Sequence, residues 1–130
     1  MKSTVETGRI GEDAAADYLL SKGYRILERN FRSRYGEIDI ICEDQDTLVF
    51  AEIKNLPSLG TGAVEYLIDR KKRKRIVGTS KRYLHSSGLD GKKNVRYDIV
   101  VLDNGIIEHF EGAFYRSEER RVGKECATGC

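Results

Sequence analysis

An α/β fold built on one mixed β-sheet, with helices packed against it, is what this sequence predicts, in the order α-β-β-β-α-β-β. Three observations carry that prediction. Residues 7–22 and 63–86 space their apolar side chains at helical intervals. Between them, strand-like runs follow one another across short polar turns. Near the end, Asn104-Gly105 separates two β-branched, apolar runs, the strongest short hairpin signal a sequence can carry.

The first helix places Ile10, Ala14, Ala15, Tyr18 and Leu19 on one face. Thr7 is its expected N-cap, and Gly23 follows the last turn as a C-cap does. "YRILERNFR" (24–32) reads as a strand entering a turn around Ser33 to Tyr35. "GEIDIICE" (36–43) is the second strand, "DQD" (44–46) a hairpin turn, and "TLVFAEIK" (47–54) the third strand. The third is the most apolar of these and is therefore predicted to be central. "NLPSLGTG" (55–62) holds the one proline and two glycines and reads as a loop. The second helix carries Val64, Leu67, Ile68, Ile76, Val77, Tyr83 and Leu84 as its core stripe. "HSSGLDGKKN" is a turn-rich connector, and "VRYDIVVLD" (95–103) with "IIEHFEG" (106–112) forms the final hairpin. No internal linker or repeat interrupts the pattern, so residues 1–115 are expected to form one domain.

The chain has 130 residues, 39% hydrophobic and 34% charged, ordinary proportions for a globular protein. It has no run near the ~20 apolar residues that span a bilayer, and its start lacks a signal-peptide core. A cytoplasmic protein with no membrane partner is the expectation. "RSEERRVGKEC" (116–126) resembles the in-frame translation of a short-read sequencing adapter, residue for residue. Residues 116–130 are therefore set aside as an appended, disordered tail; the alternative is a natural charged terminus that frays in solvent. The tail carries four of the 23 basic and three of the 21 acidic residues, so the net charge falls from +2 to +1 without it. Cys126 and Cys130 go with it, and Cys42 alone supports neither a disulfide framework nor a cysteine metal cluster.

The third strand poses a chemical question. Leu48-Val49-Phe50-Ala51 runs straight into Glu52, and one strand earlier Asp39 sits among Ile38, Ile40 and Ile41. Burying an unpaired carboxylate is costly. Strand alternation puts Glu52 and Lys54 on one face, and Glu37, Asp39 and Ile41 on one face of the neighbouring strand. A hairpin across residues 44–46 would bring Asp39 and Glu52 together. Two adjacent carboxylates repel unless a cation joins them, and all-oxygen ligands suit Mg²⁺ or Mn²⁺. Lys54 would then steady a water or the charge developing on a phosphate. That is the chemistry of metal-assisted phosphodiester hydrolysis. The plain alternative is two strand-end charges in solvent with an ion-pairing lysine.

A second feature is the run Arg70, Lys71, Lys72, Arg73, Lys74, Arg75, with Lys81 and Arg82 beyond it. Such a run attracts a nucleic-acid backbone without reading its sequence; it also suits a merely solvated helix face. His85 and His109 are isolated in sequence and read as surface or packing histidines.

"GRIGEDAAADYLLSKGYRILERNFR", "GEIDII", "LVFAEIK", "KRKRI", "YL" and "RYDIVV" occur in the order found in the YraN-like family of small bacterial proteins. The chain resembles that family from about residue 7 to residue 114, and through it the PD-(D/E)XK nucleases with their restriction-endonuclease-like core. The resemblance implies that Asp39 and Glu52 are metal-binding acids for Mg²⁺ or Mn²⁺. It implies Glu12 as a further acid near the metal, Lys54 as the catalytic lysine and Lys72 as a residue lining the cleft. It also implies cleavage of DNA, with RNA second, and admits a homodimer, since nucleases of this fold often work as pairs. Arg96 and Asp98 match the family as well, with a structural ion pair as their expected role. Where the family often carries an arginine after the lysine, this chain has Leu56, which puts one phosphate contact in doubt. Two other classes stay open: a non-catalytic nucleic-acid-binding module using the basic helix 70–82, and a metal-free structural protein whose acids are ion-paired.

Overall fold

The computed structural model describes residues 4–55, 69–103 and 105–114, with side chains described from residue 11 onward. Helix α1 (Thr4–Ser21) precedes β1 (Arg25–Ser33), β2 (Gly36–Asp44) and β3 (Thr47–Asn55). Helix α2 (Arg70–Ser86), β4 (Asn94–Asp103) and β5 (Ile106–Phe114) follow. The strands form one sheet in the order β1-β2-β3-β4-β5, antiparallel throughout except between β3 and β4. A parallel pair cannot be joined by a tight turn, and the segment that returns the chain from β3 to β4 contains α2. This mixed sheet, in the order α-β-β-β-α-β-β, is a core of the restriction-endonuclease-like type.

Alternation on β3 divides the core in two. Leu48 and Phe50 face α2, where they pack with Ile76, Val77 and Leu84. Val49 and Ala51 face α1 and meet Ala15, Ala16 and Leu19. Both faces of the middle strand are thus covered, which is why its sequence is continuously apolar. Burying each large aliphatic or aromatic side chain stabilises the fold by roughly 1.5–3 kcal/mol. Gly23 closes α1 in the left-handed region (φ 91°), with Tyr24 N–H donating to Leu19 O and Gly23 N–H to Leu20 O. Those are the two bonds of a Schellman cap.

Several local expectations need correction. Helix α1 already includes Thr4, so Thr7 lies inside it and is not its N-cap. Ala14 is exposed and Ala16 buried, so the packed face is turned by one step from the expected stripe. The predicted helix 63–86 does not run through Asp69. There the backbone is extended (φ −76°, ψ 177°), and the carboxylate accepts the Lys72 N–H at 2.8 Å, which caps the start of α2. The Asp69 side chain thereby satisfies one of the first-turn N–H groups that a helix start leaves without an internal partner. The rest of the expected loop 55–62 beyond Asn55, Leu56 included, lies outside the described residues, as do Val64, Leu67 and Ile68 and the tail 116–130. Cys42 is a buried free thiol. Among the described residues no helix is long and apolar enough to cross a membrane.

Candidate active site

The site is made where the sheet parts. Strands β2 and β3 pair from Asp44↔Thr47 to Ile40↔Ala51, and there the pairing stops. Beyond it β2 continues to Gly36 in ladder pairing with β1, and β3 continues to Asn55 in ladder pairing with β4. Asp39 sits at the fork. Its Oδ2 accepts the Ile53 N–H at 2.9 Å, substituting for the ladder acceptor that the diverging strand has withdrawn.

A backbone distortion aims Asp39 there. Ile38 and Ile41 both pack in the α2 cluster, although they are three positions apart, while Ile40 packs in the α1 cluster. Strict alternation therefore does not run through Asp39, and the expected common face of Glu37, Asp39 and Ile41 is not kept. Opposite this point on β1, between the pairs Arg29↔Ile40 and Phe31↔Ile38, Asn30 adopts a left-handed conformation (φ 55°). Asparagine tolerates that region better than most residues, so the kink is written into β1 rather than β2.

Glu52, next along β3, is only 6% exposed. Its Oε2 lies 3.5 Å from Lys54 Nζ and 3.3 Å from Lys72 Nζ at the start of α2. Asp39 is pushed up to about 7, first by burial and then by the charge of Glu52; the Ile53 hydrogen bond opposes this, and Glu12 and Glu37 add to it. Four of the residues singled out by sequence, Asp39, Glu52, Lys54 and Lys72, thus meet at one fork. Glu12 is near enough to raise Asp39, but Arg29 Nη2 approaches its carboxylate at 3.9 Å. Among the described residues no three of His, Cys, Asp and Glu gather closely enough to cage a metal by themselves.

The remaining cations of the run lie along the first turns of α2. Arg70, Lys71, Lys74 and Arg75 are exposed, and Arg73 is half-buried. On the other face, Arg96 and Asp98 form the expected ion pair, with both guanidinium contacts at 2.9 Å. His109 is not isolated. Its Nε2 lies 2.7 Å from the fully buried Asp98, and Lys22 Nζ and Tyr18 OH each approach Nδ1 at 3.2 Å. An ammonium only donates, so Nδ1 accepts and the ring hydrogen sits on Nε2, facing Asp98. Hairpin arithmetic carried the signal: a two-residue Asn104-Gly105 turn pairs Val100 with His109, on the face and within two residues of Asp98.

The sequence model of a family described as "Uncharacterised protein family UPF0102" matches residues 11–102, a span that contains Glu12, Asp39, Glu52, Lys54 and the basic run. A UPF0102 protein of Persephonella marina is 50% identical over 107 residues, covering 82% of this chain and 91% of that protein. One from Thermotoga neapolitana is 47% identical over 106 residues (80% and 94%). One from a Sulfurihydrogenibium species is 41% identical over 109 residues (84% and 94%).

Proposed function

This chain belongs to the UPF0102 family, and we propose that it is a metal-dependent nuclease that hydrolyses phosphodiester bonds in DNA. The observation that carries the proposal is the acid pair at the fork of the sheet, a half-buried Asp39 beside a buried Glu52, where burial and the charge of Glu52 push Asp39 up to about 7. Folding has placed a carboxylate where its own ionisation is disfavoured, an arrangement that structural needs alone do not call for. The donors are all oxygens, which fits a hard divalent ion such as Mg²⁺ or Mn²⁺. Two carboxylates are enough, because Mg²⁺ keeps several waters and takes substrate phosphates as further ligands.

Asp39 and Glu52 would hold the ion, with Glu12 contributing negative charge from α1. Such an ion supplies Lewis acidity toward a phosphoryl oxygen. Lys54, which shares Glu52 with Lys72, is placed to steady an attacking water or the charge gathering on the phosphate. The exposed cations of α2 flank the fork and would hold the nucleic-acid backbone.

One observation favours a second reading, a nucleic-acid-binding module without catalysis: Glu52 already has two lysine partners and needs no metal for charge balance. Plasmid nicking in Mg²⁺ or Mn²⁺ separates the two. Glu52→Gln is expected to reduce nicking about a hundredfold or more, equivalent to roughly 2.7 kcal/mol of transition-state stabilisation, with DNA affinity retained. Nicking that is absent from wild type, or unchanged in Glu52→Gln, removes the nuclease reading. Neutralising Lys71, Lys74 and Arg75 together is expected to weaken binding and flatten its salt dependence.

A further inference from the structure

We propose that the pocket between the β1–β2 turn and the C-terminal half of α2 binds an unpaired nucleotide, its base stacked on Tyr35 and its phosphates held by Arg34 and Arg82. This rests on the proposed action on nucleic acid and specifies the strand form: single-stranded nucleic acid.

The pocket has a volume of about 440 Å³ and is lined by Arg32, Arg34, Tyr35, Arg82 and Ser86, among others, with no acid among the described residues of its wall. Arg32 shares Glu37 at 3.6 Å, while Arg34 and Arg82 have no acidic partner among the described residues. Three guanidinium groups around one concavity call for an anion with several oxygens, and arginine forks match phosphate.

Tyr35 supplies the other half of a nucleotide site. It is 49% exposed, yet it is fixed in place. Its N–H donates to Ser33 Oγ at 3.0 Å, and that hydroxyl lies 3.0 Å from Thr79 Oγ1 on α2. Its side chain rests on Gly78, where an added Cβ would meet Tyr35 Cγ at 3.3 Å. The glycine lets the ring lie against the helix. The Arg34 guanidinium lies 5.6 Å from the ring centroid. An incoming base would meet the exposed aromatic ring of Tyr35, the kind of surface on which unstacked bases settle, with the Arg34 guanidinium beside it for the phosphate. In a duplex both faces of a base are covered by its neighbours, so this platform suits an unpaired one.

The pocket also connects to the fork. Lys72, Arg75, Thr79, Arg82 and Ser86 fall at i, i+3, i+7, i+10 and i+14, one stripe of α2. Lys72 reaches Glu52, Arg75 lies against Gly36, Thr79 meets Ser33, and Arg82 and Ser86 line the pocket. At ~1.5 Å per residue, Lys72 and Arg82 are ~15 Å apart along the helix, a span of a few stacked nucleotides. A strand anchored at Tyr35 would reach the acid pair along a cationic stripe.

The test is fluorescence anisotropy of the full chain with a 12-nucleotide oligo(dT) and with a 12-base-pair duplex, both in EDTA. Tyr35→Ala is expected to weaken single-strand binding about tenfold or more, Tyr35→Phe to restore it, and neither to change duplex binding more than about twofold. Arg82→Ala is expected to lower the salt slope for the single strand by about 0.7. This surface variant carries the test alone if Tyr35→Ala does not fold. The proposal is overturned if wild type does not bind the single strand, if Tyr35→Ala and Arg82→Ala leave that binding unchanged, or if both substrates weaken alike. Metal plays no part in EDTA, so a Tyr35 effect alongside nicking indifferent to Glu52→Gln would sink the nuclease and keep the pocket. Nicking that depends on Glu52, with single-strand binding indifferent to Tyr35 and Arg82, would do the reverse.

Discussion

Replacing Asp98 by alanine is expected to destabilise the protein by about 3–5 kcal/mol, the usual cost of removing one partner from a buried ion pair. Asp98 is fully buried, and its two oxygens accept four bonds: two from Arg96 at 2.9 Å, one from His109 at 2.7 Å and one from Gly112 N–H at 3.0 Å. Gly112 can donate because β5 is irregular there, with a positive φ of 61°, and the register shifts between Tyr97 and Ile99. Removing the carboxylate leaves these donors without their acceptor in a buried place. Urea unfolding of wild type and Asp98→Ala, followed by circular dichroism, measures the loss. Adding Arg96→Met to Asp98→Leu is expected to recover part of it, because apolar replacement of a whole buried pair is often close to neutral. A loss under about 1 kcal/mol for Asp98→Ala would show that the network contributes little.

Asp39→Asn should do the opposite and stabilise the metal-free protein at pH 8. The folded protein pushes Asp39 from 3.8 up to about 7. Each unit corresponds to ~1.4 kcal/mol, so ionising Asp39 costs on the order of 4 kcal/mol. Between pH 4 and 7 the folded state holds this proton more tightly than the unfolded state does. Stability from this group is therefore full below about pH 4 and lost as pH rises through about 7. Asp98 has the opposite sign. Burial raises it, but bonds from His109, Arg96 and Gly112 outweigh that and lower it, so its contribution is present above its usual 3.8 and lost in acid. Metal-free wild type is expected to be most stable near pH 4–5. Asp39→Asn, which keeps an acceptor for the Ile53 N–H, should flatten the decline toward pH 8. Thermal melts across pH in EDTA give the answer, and a decline as steep in the variant as in wild type would place its cause elsewhere.

Much of the architecture was legible in local sequence because local physics decides it. The apolar run of β3 could only be a middle strand, Gly23 could only close a helix, and Asn104-Gly105 marked a hairpin that the Asp103↔Ile106 pair bears out. The meeting of Asp39 and Glu52 followed from a hairpin register, 44 against 47, that the sequence implies. What the sequence hid depends on the sheet as a whole. The parting of β2 from β3, and the turn of Asp39 into the gap, follow from pairings with β1 and β4 and from a left-handed Asn30 that no periodicity reveals. The start of α2 has a capping signal in Asp69, three residues before the Lys72 N–H that it accepts, but the signal lies inside an apolar stripe that reads as continuous helix. Tyr35 read as an ordinary turn residue because Gly78, the surface it rests on, is 43 positions away.

Calorimetric titration of Mn²⁺ into the full chain at pH 7.5, beside Asp39→Ala and Glu52→Ala, tests the central claim most directly, because it requires no knowledge of the substrate. The acid pair at the fork predicts binding by wild type that disappears in both variants while their circular dichroism stays native. Binding that survives both substitutions, or no binding by wild type even with a short DNA present to complete the ligand shell, would contradict the metal site and leave α2 and the Tyr35 pocket as the functional surface.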